Sequence, residues 1–281
     1  MKKFFYVLGA LIILSGITLL CYPSFANWMN KRYEYKEISN YKSSVDSMDN
    51  SQMKKELHMA LAYNRSLPIS FPADPFTGKN ETDVSNTKFA DFDMVQKGAM
   101  IGYVEIPSIN VYLPIYYGTD ENTLQKGAGL VENTSLPVGG KGTHAVISAH
   151  TGLASKKMFT DLPEVKKGEL FFIHVLNMDL AYKVDQIKVV LPENTRDLMI
   201  RDGRDFVTLL TCTPFGINDH RLLVRGSRTD YDFSKDSNKS GILSAARHKG
   251  MYFWIAVLAV LLAVIFVLSI VRGVKRGKRK Q

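Results

Sequence analysis

Three side chains in this sequence have the chemistry of a covalent catalyst: Cys212, His150 and Arg221. A cysteine thiolate is a strong nucleophile, and a histidine can give or accept a proton near neutral pH. A guanidinium stabilises nearby negative charge. Together these groups suffice for acyl transfer at a peptide bond. The thiolate attacks the carbonyl to form a thioester, the imidazolium protonates the leaving amine, and the guanidinium donates hydrogen bonds to the oxyanion.

The pattern of residues 207–226 predicts how two of these groups meet. The segment reads VTLLTCTPFGINDHRLLVRG, which indicates a strand, a turn and a second strand. The residues with turn chemistry are Pro214, Gly216, Asn218 and Asp219. Cys212 ends the first strand and Arg221 begins its antiparallel partner, so we expect the guanidinium to lie close to the thiol and to favour the thiolate.

His150 closes another predicted strand, residues 143–150, and is followed by Thr151 and Gly152. We expect this strand end to meet the other two at one rim of a barrel. Each residue also has an ordinary interpretation. A lone cysteine after a strand is often a small buried apolar residue, histidines are common at strand ends, and an arginine there can be a surface or ion-paired residue.

A zinc site is a further alternative for the same region. His144 and His150 are an even number of residues apart, which places both on one face of a continuous strand. Cys212 and His220 are possible additional ligands. The short Cys-x-x-Cys and His-x-x-x-His spacings typical of zinc sites are absent, so the sequence favours a site without metal.

The elements that must position these residues are short strands. They are rich in β-branched and aromatic residues and are separated by Gly, Pro, Asn and Asp. The predicted strands are 103–106, 111–117, 145–150, 170–175, 182–190, 207–212 and 222–225, with a brief helix at 121–126. Seven or more such strands favour an all-β fold, a closed or nearly closed β-barrel. Residues 27–66, without Pro or Gly, predict helices, and Pro68, Pro72 and Pro75 begin a loop.

The net charge of +9 is a membrane signal and excludes a nucleic-acid-binding role. Two basic residues precede an apolar run at 4–21, and six follow a longer one at 251–271, which leaves 28 basic against 27 acidic residues elsewhere. A nucleic-acid binder needs its basic residues on a folded face. Each apolar run approaches the roughly 20 helical residues that cross a bilayer. The positive-inside rule then predicts that both termini are cytoplasmic and that residues 27–248 are extracytoplasmic.

Whether the first apolar run is kept as an anchor or removed as a signal segment is left open by the small residues at 24–26. We favour a retained anchor, and Leu20 before Cys21 argues against lipoprotein attachment. The expected organisation is an anchor or signal segment at 1–26, helices and a loop at 27–100, the barrel at 101–230, a linker at 231–250, a transmembrane helix at 251–271 and a basic tail at 272–281. The exterior domain then holds one cysteine, a liability unless the thiol is used or shielded.

At these residues the chain resembles the sortases, and among them the class C, pilus-assembling group. Thr208-Leu-Leu-Thr-Cys212 is similar to the nucleophile motif Thr-Leu-x-Thr-Cys of that family, and Arg221 follows nine residues later. Residues 136–150, LPVGGKGTHAVISAH, resemble the region of the catalytic histidine. The apolar C-terminal segment with its basic tail, and Asp74-Pro75-Phe76 upstream of the barrel, fit the class C group.

The resemblance implies an eight-stranded sortase barrel that needs no cofactor. Cys212 would be the nucleophile, His150 the acid and base, and Arg221 the stabiliser of oxyanion and substrate. The substrates would be secreted pilins with LPxTG-like sorting signals, cut between Thr and Gly, and the acceptor would be a lysine amine of the next pilin. Asp74, Pro75 and Phe76 would form a lid, with Asp74 paired to Arg221 and Phe76 against the thiol of Cys212. A plain turn remains the alternative to the lid, because Asp-Pro-Phe-Thr-Gly favours a turn in any context.

Two alternative functions remain, one that uses the same catalytic residues and one that uses none of them. A cell-wall-anchoring sortase, or a hydrolytic cysteine peptidase, would share the catalytic residues and differ only in the acceptor of the acyl group. A non-catalytic, membrane-anchored barrel that binds surface proteins would not need Cys212. The substitution Cys212→Ala separates these classes, because it would leave binding intact and abolish thioester formation.

Overall fold

Two helices precede the barrel in the computed structural model, which describes residues 2–68, 72–77, 89, 92–153 and 156–235. Helix α1 spans Lys2–Asp46 and helix α2 spans Asn50–Ser66. Asp49 starts α2, because its carboxylate accepts hydrogen bonds from the backbone N–H groups of Ser51 and Gln52 while the Gln52 side chain accepts from the backbone of Asp49. The helices predicted over 27–66 are therefore present, and α1 also extends toward the N-terminus.

Eight strands close into a barrel. They are β1 (Met100–Ile106), β2 (Val111–Tyr117), β3 (Ala128–Leu130), β4 (Thr143–Ser148), β5 (Leu170–Val175), β6 (Met178–Val190), β7 (Asp205–Thr213) and β8 (His220–Arg228), with α3 (Glu121–Lys126) between β2 and β3. Their order around the barrel is β1-β2-β3-β4-β7-β8-β6-β5. The β2–β3 and β4–β7 pairs are parallel and the other pairs antiparallel. The predicted eight-stranded barrel is confirmed; the strand missed from sequence is β3, whose three residues are too few to show alternation.

Both faces of the sheet are covered where β4, β7 and β8 lie side by side. Inward-facing residues of these strands join the main core: Ala145, Ile147, Val207, Leu209, Leu222 and Val224. Outward-facing residues form a second apolar cluster: Val146, Leu210 and Leu223 with Val131 and Leu198. This double cover explains why all six residues of β4 are buried instead of alternating with exposed ones.

Contacts group residues 30–235 into one compact unit, which holds the barrel and α2. Residues up to Met29 belong to a second unit, of which the structure describes the N-terminal part of α1. In the part of the chain that is described, no helix meets the length and hydropathy of a membrane span. The second predicted span, 251–271, and the basic tail lie outside the described residues.

Candidate active site

Cys212 and Arg221 are cross-strand partners near the turn that joins β7 to β8. Successive side chains of a strand point to opposite faces, and Leu209 and Leu222 point into the core. Cys212 and Arg221 therefore lie on the outer face of the barrel, where the second apolar cluster packs. Cys212 is partly exposed and forms no disulfide, while Arg221 is buried. The strand–turn–strand prediction therefore places guanidinium and thiol on one face, as expected.

His150 lies on the strand next to β7. The predicted strand reached His150, but β4 ends at Ser148, which pairs with Leu210 in parallel register. Two hydrogen bonds continue the contact past that point: the N–H of Ala149 donates to Leu210 O (3.1 Å), and the Thr211 hydroxyl donates to Ala149 O (2.7 Å). Continued by two residues, this register brings His150 level with Cys212, one strand spacing of about 5 Å away.

The segment upstream of the barrel reaches the same site. Arg221 donates to both carboxylate oxygens of Asp74, from Nε at 2.6 Å and from Nη2 at 2.9 Å. Its Nη1 donates to the carbonyl oxygens of Asn218 and His220, each at 3.0 Å. Asp74 and Arg221 are both buried, so this is a bidentate pair shielded from water and not a surface ion pair. The segment is therefore held on the site by a specific charged contact.

Phe76 lies across the site beside this ion pair. Its ring centroid is 5.6 Å from that of His150, and the Arg221 guanidinium carbon lies 5.2 Å from the Phe76 centroid. Phe76 also packs against the second apolar cluster. The predicted contact of Phe76 with the thiol of Cys212 stays a prediction, beside these contacts of the ring with His150 and Arg221. Asp74 and Phe76 thus touch two of the three candidate catalytic residues.

Burial under this segment favours the neutral forms of the nucleophile and the histidine. Burial raises the pKa of the Cys212 thiol, with Arg221 lowering that pKa and Asp74 raising it. Burial lowers the pKa of His150, and Glu121 raises it. For Arg221, burial alone would lower the pKa, but the bond to Asp74 holds it above its usual value. In this arrangement the thiolate–imidazolium pair is disfavoured.

His144 and His220 do not join the candidate catalytic residues. His144 is buried and bonded through both ring nitrogens, to Met199 O at 2.9 Å and to the Thr208 hydroxyl at 2.8 Å. Thr208 precedes Cys212 by four residues on β7, a distance of about 13 Å along a strand. His220 pairs with Asp219 at the surface. Among the described residues, no group of three His, Cys, Asp or Glu side chains is arranged to hold a metal ion.

Two features of the site were not predicted from sequence. Both threonines of the 208–212 motif have structural partners, Thr208 with His144 and Thr211 with Ala149 O, which tie β7 to β4. Glu121 of α3 approaches His150, with 4.0 Å between Oε2 and Nε2. The two threonines belong to the motif recognised in the sequence, but their hydrogen-bond partners were not predicted. Glu121 has no sequence signal, because only the barrel topology brings α3 next to the end of β4.

Comparisons with known proteins identify the family of this chain. A family model described as the sortase domain matches residues 104–229. A solved sortase C of Streptococcus pneumoniae is 45% identical, covering 70% of this chain and 97% of that one with a TM-score of 0.63. Sortase C1 of Streptococcus agalactiae is 42% identical, covering 73% and 98% with a TM-score of 0.64. Sortase A of Bacillus anthracis is 28% identical over 147 residues, 52% of this chain and 67% of that protein.

Proposed function

Because the chain belongs to the sortase family, we propose that it is a membrane-anchored cysteine transpeptidase that joins pilin subunits. The observation that carries this proposal is the strand order β4-β7-β8. It brings His150, Cys212 and Arg221 side by side on the outer face of the barrel. A thiol between an imidazole and a guanidinium is the arrangement that acyl transfer through a thioester requires.

In the first half-reaction the Cys212 thiolate attacks the Thr carbonyl of an LPxTG-like sorting signal. The carbonyl oxygen becomes an oxyanion, which the guanidinium of Arg221 stabilises with two hydrogen-bond donors. The tetrahedral intermediate collapses when the C–N bond to Gly breaks and the imidazolium of His150 gives its proton to the departing amine. The products are a thioester on Cys212 and a free Gly amine.

In the second half-reaction a lysine amine of another pilin attacks the thioester. Neutral His150 takes the proton of the attacking nitrogen, and the sulfur leaves as a thiolate. The new bond is an isopeptide bond between the Thr carbonyl and the lysine side chain. The site returns to its starting state with one thiolate and one imidazolium, so no cofactor is consumed.

Two observations support pilin as the substrate and the membrane as the location. The similar Streptococcus pneumoniae structure is described in terms of pilin substrate specificity, and a similar group B Streptococcus enzyme as pilus-related. The basic residues outside each apolar run support an extracytoplasmic barrel with both termini in the cytoplasm. On this proposal the enzyme works at the cell surface of a Gram-positive organism, where secreted pilins emerge.

The segment Asp74-Pro75-Phe76 acts as a lid in this proposal. Asp74 accepts the hydrogen bonds of the Arg221 guanidinium that the oxyanion needs, and the Phe76 ring lies over the His150 ring. A substrate must therefore displace both before Arg221 can bind the carbonyl oxygen. The lid also shields an unpaired thiol from oxidation in an extracytoplasmic compartment.

The direct test incubates the purified full-length chain with a peptide that contains an LPxTG-type signal. Intact-mass spectrometry should detect an acyl adduct on the wild-type chain and none on Cys212→Ala. Adding a lysine-bearing pilin domain should convert the adduct to an amide-linked product. An adduct that only hydrolyses would instead identify a peptidase, and one resolved only by a cell-wall precursor amine an anchoring enzyme. Peptide binding without any adduct would identify a binding protein.

A further inference from the structure

One nitrogen of the His150 ring lacks a partner. Nε2 is buried, and no described group forms a hydrogen bond with it. Its closest charged neighbour is Glu121 of α3, whose Oε2 lies 4.0 Å away. Leaving a buried ring nitrogen unsatisfied is unfavourable, and catalytic hydrogen bonds are often long before substrate binds. A movement of about 1 Å would bring this pair to hydrogen-bond distance.

The Glu121 carboxylate is held ready for that contact. Its other oxygen, Oε1, accepts a hydrogen bond of 2.7 Å from Nε2 of Gln125, one turn later in α3. The short helix is fastened at both ends. Asp120 accepts the backbone N–H groups of Asn122 and Thr123 at its start, and Lys156 Nζ donates to the carbonyl oxygens of Gln125 (2.7 Å) and Lys126 (3.3 Å) at its end.

We propose that Glu121 is the positioning residue of His150: its carboxylate accepts the Nε2 proton and leaves Nδ1 to exchange protons with the thiol and the substrate amines. An imidazole has two nitrogens, so fixing one proton on Nε2 selects the tautomer and ring orientation in which Nδ1 serves as acid and base. A carboxylate at Nε2 also stabilises the imidazolium that protonates the leaving amine. This role rests on the function proposed above.

Other charges around His150 do not substitute for Glu121. The lid contributes the neutral ring of Phe76, and on β8 the charge of Arg221 is compensated by Asp74. On β7 the neighbour is Cys212, whose own pKa is raised by burial. Burial lowers the pKa of His150, and the Glu121 carboxylate opposes that effect. Glu121 is thus the residue of α3 that stabilises the protonated form of His150.

The test titrates His150 in the full chain by NMR of its ring Cε1–H group, assigned among the six histidines with His150→Gln. Glu121→Gln keeps the size of the side chain and removes its charge. We expect it to lower the pKa of His150 by roughly half a unit, the effect of a partly solvated ion pair. The matched control is Glu164→Gln, an exposed carboxylate in the turn Leu162–Glu164, which should leave the pKa unchanged.

Equal titration midpoints in Glu121→Gln and Glu164→Gln would overturn the inference. If Glu121→Gln folds poorly, Gln125→Ala frees the carboxylate and should shift the pKa in the same direction by a smaller amount; no shift there would count against it equally. The pH profile of kcat/KM should move with the NMR midpoint. The titration needs no substrate, so a shift without any thioester would refute the proposed reaction while leaving the Glu121–His150 pairing established.

Discussion

At the scale of single residues, the environment of Arg221 decides what the site can do. Its guanidinium is fully engaged, by both oxygens of Asp74 and by two backbone carbonyl groups. A planar fork of donors matches a carboxylate or an oxyanion, whereas an ammonium group presents a point charge. The carboxylate of Asp74 therefore occupies the donors that, on the proposed mechanism, hold the oxyanion of the substrate.

Arg221→Lys should lower kcat/KM for peptide cleavage by about 100-fold, because one or more oxyanion donors are lost although the charge is kept. Arg225→Lys is the matched control. Arg225 lies on the same strand and makes a similar two-bond contact with Asp185, at 2.9 and 3.2 Å, away from Cys212. It should stay within about threefold of wild type, because Arg225 lies four residues from Arg221 along β8 and outside the proposed oxyanion site. Equal losses in the two variants would show that Arg221 acts only through the fold.

At the scale of elements, the proposed lid packs against the outer face of the barrel where β4, β7 and β8 lie side by side. The Asp74–Arg221 ion pair and the Phe76 ring fasten this segment, and Phe76 packs against the second apolar cluster, which holds residues of β4, β7 and β8. On the proposed function, contacts with substrate must replace the Asp74–Arg221 pair and the packing of Phe76 when the site opens. Opening also exposes Cys212 and His150 to water and removes Asp74, which shifts both pKa values toward the thiolate–imidazolium pair.

Asp74→Ala and Phe76→Ala should each speed the modification of Cys212 by a thiol reagent, measured in a Cys21→Ser background so that a single cysteine reacts. Removing Asp74 takes away a charge that raises the pKa of the thiol, so the thiolate fraction at pH 7 rises. A decrease of one pKa unit gives about a tenfold faster reaction. The control Asp185→Ala removes the carboxylate partner of Arg225 instead of that of Arg221, and it should leave the rate of Cys212 modification unchanged. Unaltered kinetics in both lid variants would favour the plain-turn interpretation.

At the scale of the whole molecule, the helices that precede the barrel are fastened to it by buried polar contacts. The Tyr41 hydroxyl of α1 donates to Ile101 O (2.9 Å) and accepts from the N–H of Leu176 (2.8 Å). The Asn64 amide of α2 exchanges two hydrogen bonds with the backbone of Leu136. Because buried polar groups must be paired, these contacts select one position for each segment. The helical residues 30–66 therefore fold with the barrel as one unit.

The contribution of His144 to the free energy of unfolding should be lost as the pH drops from 6.5 toward 4. Burial lowers the pKa of His144 from 6.5 to about 4 in the folded chain. A depressed pKa means that the unfolded state binds the proton first, so this contribution is complete above pH 6.5 and is lost on acidification. The loss at pH 4 is about 3 kcal/mol.

Urea unfolding at pH 7 and pH 4 measures this contribution. Between pH 7 and pH 4 the free energy of unfolding should fall by about 3 kcal/mol more in wild type than in His144→Gln. His220→Gln removes a surface histidine from β8 and should reproduce the wild-type fall. An identical fall in all three proteins would mean that burial does not hold His144 neutral.

Local patterns were sufficient for seven of the eight barrel strands and for the Cys212–Arg221 half of the site. Short runs of β-branched and apolar residues, with turn chemistry between them, predicted β7, its turn and β8, and so placed Cys212 opposite Arg221, because those interactions act within about ten residues. The same reasoning missed β3 and extended β4 by two residues, since a three-residue strand has no measurable period and a strand end depends on its neighbour.

The sequence by itself determined which strand pair holds Cys212 and Arg221, and it predicted the residues proposed to carry the chemistry. The family resemblance anticipated the pairing of Asp74 with Arg221. The tertiary structure decided that β4 lies parallel to β7, which brings His150 to Cys212 across 62 residues, and that Asp74 reaches Arg221 across 147. It also separated His144 from the site and brought Glu121 to it. The physical reason is that parallel pairing and lid docking depend on the joint burial of distant segments, which no local pattern encodes.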